Sequence, residues 1–113
     1  MKYDLEERTS KFGEEIINFL KQLPADYLSR PVMSQLIRSA TSIGANYMEA
    51  NQASSEKDFY NKIRISQKES NETKHWLRML ASIFENRKDE IRKFWQEAHE
   101  LTLIFAKISK SKN

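Results

Sequence analysis

The groups in this chain that could do chemistry are concentrated between residues 57 and 84. Glu69 and Glu72 stand three apart, so a helix would present them on one face, as acid–base or metal-binding carboxylates require. Glu72-Thr73-Lys74-His75 adds a Glu-x-x-His spacing, which di-metal bundles use in paired copies. Here there is one copy, residues 31–52 offer no match, and His99 has only Glu100 beside it and Gln96 three before it. The chain has no cysteine, which excludes disulfides, thiolate metal sites and cysteine nucleophiles. Ser66, Ser70 and Thr73 carry hydroxyls, but a serine nucleophile needs a base and an oxyanion site, and the pattern supplies neither. Their expected use is structural, bonding nearby carbonyls and letting a neighbouring helix come close. The expectation is a protein that is not an enzyme, with no catalytic residues, no metal and no cofactor.

A second kind of chemistry is phosphate binding. Lys57, Arg64, Lys68, His75 and Arg78 fall four-three-four along one line with Asn61, Asn71 and Ser82, and no acid interrupts them. At 1.5 Å rise per residue, consecutive members lie roughly 5 to 10 Å apart, a spacing that can match phosphates. The simplest alternative is a solvated face. The row contains no aromatic residue for stacking single-stranded bases, and no Gly-rich phosphate loop accompanies it. These five residues are the candidate nucleic-acid contacts.

A third row mixes Lys62, Glu69 and Glu72 with Ile65, Trp76, Met79 and Ile83. It reads as a half-exposed flank, with carboxylates able to pair with Arg38 or Lys62, or as a subunit contact. Together with polar residues of the preceding segment it defines an oligomer or polar-core set: Arg38, Asn46, Glu49, Lys62, Glu69, Glu72 and Trp76.

These residues need a scaffold, and the apolar periodicity predicts four helices, at about 4–23, 31–52, 56–84 and 89–108, in one domain spanning 1–113. The first has an inner row of Leu5, Thr9, Phe12, Ile16, Phe19 and Leu23, supported by Ile17 and Leu20. Asp4 is its expected N-cap, with Glu7 completing a capping box, and Pro24 its expected terminator. Ser29 or Arg30 caps the second helix, with Pro31 near its first position. The second row is Met33, Leu36, Ile37, Ala40, Ile43, Gly44, Tyr47 and Met48, and Gly44 implies close approach by a neighbour. Ser55 with Asp58 three later starts the third helix, whose inner row is Phe59, Ile63, Ser66, Ser70, Thr73, Leu77, Leu80 and Phe84. The fourth buries Ile91, Phe94, Ala98, Leu101, Phe105 and Ile108. Two Gly and two Pro in 113 residues favour long helices with few tight turns. The expected fold is all-α, an antiparallel up-and-down four-helix bundle.

The composition, 31% charged with a net charge of +3, permits a nucleic-acid partner without demanding one. The N-terminal MKYDLEERTS has no apolar secretory core, and no stretch approaches the ~18 apolar residues of a membrane span, so a cytoplasmic protein with no membrane contact is expected.

The run RSATSIGANYMEANQASSEKDFYNKIRISQKESNETKHWL, residues 38–77, resembles the bacterial four-helix-bundle family encoded by intervening sequences in 23S rRNA genes. The resemblance is carried by Arg38-Ser39, Ser42 to Tyr47, Glu49-Ala50, Ser55, Asp58-Phe59, Lys62, Lys68-Glu69, Glu72-Thr73 and Trp76-Leu77. KFGEEIINFLKQLP and QLIRS upstream extend it over most of the chain. It departs from the family pattern at Ala40, where glycine is frequent, at Ser70, where alanine is, and at His75, where tyrosine is. The resemblance implies a bundle that assembles as a homopentameric ring with a basic surface and no catalytic activity. It also implies kinship with the accessory variability protein of diversity-generating retroelements, which binds nucleic acid and a reverse transcriptase. Five copies of a +3 chain would carry about +15, a far stronger field than one copy. Two functions follow as expectations: nucleic-acid binding, RNA or DNA, through the basic surface, or a protein-interaction scaffold holding a partner such as a reverse transcriptase.

Overall fold

The apolar rows become four helices: α1 (Leu5–Leu20), α2 (Ser29–Asn51), α3 (Glu56–Ile83) and α4 (Lys88–Lys110), with a 3₁₀ turn, Glu85–Arg87, before α4. The computed structural model describes residues 4–111, and these contain no strand. The helices run up and down as an antiparallel bundle with overall extents of 45 × 22 × 20 Å. At 1.5 Å per residue the 28 residues of α3 span about 42 Å, the full length of the molecule. α3 packs between α2 and α4, and α1 closes the bundle against α2 and, more loosely, α4.

The core is a continuous stack. Phe12, Ile16, Leu36, Ile43, Ile63, Leu77, Leu80, Leu101 and Phe105 are essentially sealed from solvent. Phe94 closes the α1–α4 seam edge-on to Phe12, with ring centroids 6.4 Å apart, and tilted on Phe19 at 5.3 Å. Arg8 ties the same seam with Nε to Glu97 at 2.7 Å and Nη2 to Glu100 at 2.9 Å. Three residues expected in the inner rows lie outward instead: Ile17, Ile37 and Met48 are exposed. Ile17 and Ile37 follow the fully buried Ile16 and Leu36, and Met48 follows the half-buried Tyr47, so all three lie on the edge of an apolar stripe wider than the interface it serves.

The helix ends differ in detail from the expectation. Asp4 makes no side-chain cap; its carbonyl accepts the Arg8 amide at 3.0 Å, and no Asp4–Glu7 capping box forms. α1 leaves α geometry at Leu20 rather than at Leu23. The chain tightens through Gln22 N to Phe19 O and Leu23 N to Leu20 O, which buries Leu23 before Pro24. α2 is capped from further upstream than Ser29. Asp26 Oδ1 accepts the Leu28 and Ser29 amides at 3.0 Å each, and Ser29 Oγ accepts the Asp26 amide at 2.9 Å. Pro31 is the third helical residue, where its missing N–H costs nothing because the first four amides lack intrahelical acceptors. Ser55 caps α3 by accepting the Asp58 amide at 3.0 Å.

Gly44 marks the tightest approach of α1 to α2. A Cβ there would sit 3.1 Å from Thr9 Oγ1 and 3.4 Å from Thr9 Cβ, whereas one on Gly13 would meet only ordinary contacts.

Candidate nucleic-acid interface

α3 divides its circumference into four jobs. Its buried line carries the hydroxyls into the core, where each finds partners. Ser66 Oγ donates across the interface to Ile43 O at 3.0 Å. Thr73 Oγ1 lies 2.9 Å from Ser39 Oγ and 2.8 Å from Glu69 O, and Ser70 Oγ lies 2.9 Å from Thr102 Oγ1 on α4. No buried side-chain N or O among the described residues lacks a hydrogen bond. The small centre of this row therefore joins α3 to both neighbours through polar contacts.

The flank facing α2 holds the oligomer or polar-core set, and the structure pairs its charges within the chain. Arg38 donates Nη1 to Glu69 at 3.2 Å and Nη2 to Glu72, while Gln35 accepts from its Nε at 3.0 Å. Trp76 Nε1 donates to the same Glu72 at 2.8 Å. That bond first, and Arg38 second, hold the Glu72 carboxyl below its ordinary pKa against the opposing effect of burial. Lys62 reaches Glu49 at 2.7 Å, which raises the ammonium pKa. Asn46 stands apart, bonding only back to Ser42 O at 2.9 Å. Glu72 is thus committed to Arg38 and Trp76, while His75 turns its ring edge-on to Trp76 at 4.8 Å. No group of three or more metal-ligating side chains occurs among the described residues.

The third line is the basic row. Lys57, Arg64, Lys68, His75 and Arg78 are all exposed. Among the described residues none of them forms an ion pair, in contrast to Lys62 one row away and to Arg38 across the seam on α2. Arg64 contacts only the Asn61 amide oxygen, at 3.3 Å.

The fourth side faces α4 and forms two open grooves. One is lined by Arg64, Gln67, Lys68, Asn71 and Thr102. The other, of about 460 Å³, is lined by Leu77, Arg78, Ala81, Lys88, Ile91, Arg92, Trp95 and Gln96. Neither has a carboxylate in its lining. The α1–α4 groove, of about 490 Å³, has the opposite character, with Glu15, Glu90 and Glu97 against a single Lys93. Sequence reasoning missed Lys88, Arg92 and Trp95 as members of a basic face. Their signal was available: 88, 92, 95, 96 and 99 recur at helical spacing, but on a different helix from the basic row.

A model of the 23S rRNA-intervening sequence protein family matches residues 1–107. The chain belongs to this family. A search of curated proteins finds no match. Among solved structures, this intervening-sequence protein is similar to a protein of unknown function from the S23 ribosomal protein family of Bacteroides thetaiotaomicron. The two share 32% identity over 95% of this chain and 99% of that one, with a TM-score of 0.82. No helix among the described residues of this family member is long and apolar enough to cross a membrane.

Proposed function

We propose that this protein is a non-enzymatic nucleic-acid-binding bundle that works as a homo-oligomer, with a pentameric ring as the expected form. The observation that carries the reading is the sorting of charge on α3. Along the α2–α3 seam Lys62 and the α2 residue Arg38 are paired with acids, whereas Lys57, Arg64, Lys68, His75 and Arg78 face water without ion pairs among the described residues. Unpaired cations in a line are what a phosphate backbone neutralises, with release of its counterions. The exposed Ile17, Ile37 and Met48 on α1 and α2 support self-association on the side away from the basic row. A ring would repeat the row and strengthen its field.

The test is a gel-shift titration with structured RNA and duplex DNA at about 50 and 200 mM salt. Phosphate contacts from the four permanent cations, Lys57, Arg64, Lys68 and Arg78, give a slope near −3.6 on duplex DNA, so affinity should fall about 150-fold across that range. Absence of binding to either at low salt would end the reading. Light scattering tests the assembly, and a mass of 13.4 kDa throughout the micromolar range would contradict it.

A further inference from the structure

The nucleic-acid reading leaves open what form of strand is bound, and the basic row alone does not discriminate, because it has no aromatic residue. The groove between α3 and α4 does have one. Trp95 lines it together with Leu77, and the cations Arg78, Lys88 and Arg92 and the amide of Gln96 surround them. Arg78 belongs to both the row and the groove, so the two surfaces are continuous.

Three properties of the groove point the same way. Its size, about 460 Å³, lies within the range of about 300–1,000 Å³ typical of ligand sites. Its lining has cations and no carboxylate; Arg92 reaches an acid only outside the groove, the almost fully exposed Asp89, at 3.5 Å. Its aromatic ring is held in place beforehand. His99 stacks on Trp95 at 5.1 Å with an interplanar angle of 17°, and Lys74 Nζ sits 5.2 Å from the ring centroid and 3.1 Å from His99 Nδ1. A ring ordered in advance loses little entropy when a base is added to the stack.

Resting on the proposed function, we infer that this groove binds an unpaired base of a single-stranded nucleic acid. Arg78, Lys88 and Arg92 hold the flanking phosphates, Trp95 stacks the base, and Gln96 meets its polar edge. A duplex keeps its bases inside the helix and can offer the groove only phosphates. An acidic peptide could meet the three cations but would leave the recessed ring and the amide unused.

Fluorescence anisotropy with a non-self-complementary RNA of about a dozen nucleotides, its DNA counterpart and the duplex made from that DNA tests this. Wild type should bind a single strand about tenfold or more tighter than the duplex, and Trp95→Leu should weaken single-strand binding roughly 5- to 150-fold while changing duplex binding little. Arg92 is largely exposed, so Arg92→Glu tests the groove at little cost to folding; Lys11→Glu on α1 makes the same charge change elsewhere. Arg92→Glu should cost at least about tenfold and Lys11→Glu no more than about twofold. Equal losses in these two, an unchanged Trp95→Leu, a preference for duplex, or displacement only by an acidic peptide would each overturn the inference. Those results leave the nucleic-acid reading standing if wild type binds. Failure of wild type to bind any of the three strands at about 50 mM salt overturns that reading, and the inference with it.

Discussion

Replacing Arg38 with methionine should reveal how much the α2–α3 seam depends on its charge cluster. The substitution keeps the aliphatic stem and removes the guanidinium that joins Glu69 and Glu72. At 3.2 Å a unit charge pair is worth about 1.3 kcal/mol in bulk water and about 5 kcal/mol at an effective dielectric of 20. The Arg38 side chain is 45% exposed and that of Glu69 13%, which places the pair toward the lower limit. Both carboxylates lose the guanidinium, but Glu72 retains the neutral hydrogen bond from Trp76, so of the two only Glu69 is left without a side-chain partner. The expected loss is about 1–2 kcal/mol at neutral pH, or a fall in Tm of roughly 4–8 °C for a domain of this size. The pH dependence gives the sharper check. The folded-state pKa of Glu72 lies below the ordinary 4.5. Its contribution is therefore present above that pH and lost as pH falls through the lower folded value. Thermal melts of wild type and Arg38→Met, at fixed protomer concentration, should differ at pH 7, and the gap should narrow as pH falls through the lowered folded-state pKa of Glu72. Equal stability at pH 7, or a gap that persists unchanged in acid, would refute the reasoning.

Two further expectations concern packing. Gly44→Ala should give less than the ~1 kcal/mol that helix propensity offers, because the new methyl meets Thr9 Oγ1 at 3.1 Å; in a Thr9→Ala background the same change should recover about that amount in chemical unfolding. Ser66→Ala should cost about 1 kcal/mol in the same assay by removing the cross-helix bond to Ile43 O, and no loss would show that bond to be idle.

The four helices were legible because nothing in the chain competes with them. Apolar rows at helical spacing run without Gly or Pro through all of α3, and the residues expected along its buried line, from Ile63 to Leu80, are those that become sealed. The ends were less legible. Asp4 and Glu7 have capping-box spacing, yet the Asp4 side chain caps nothing. Asp26 caps α2 through the fixed two- and three-residue offsets of an Asx turn, a signal present in Asp26-x-x-Ser29 but competing with the equally plausible caps Ser29 and Arg30. The outward turn of Ile17, Ile37 and Met48 depends on how wide a stripe each neighbour covers, which periodicity along one helix does not report. The candidate interface divides in the same way. The basic row lies on one helix and could be read directly, whereas the groove joining Arg78 to Lys88, Arg92 and Trp95 exists only once α4 folds back on α3. Of the two partners expected for Glu69 and Glu72, the fold selects Arg38, 31 and 34 residues away, and gives Lys62 to Glu49 instead.

The central claim is that the unpaired cations of α3 contact phosphates. The most direct measurement is the slope of log affinity against log salt for wild type and for Arg64→Gln/Lys68→Gln, with one duplex as ligand. Two lost phosphate contacts should reduce the slope by about 1.8 in every assembled state that keeps the row exposed. A wild-type slope near zero, or a variant slope equal to wild type, would contradict the account.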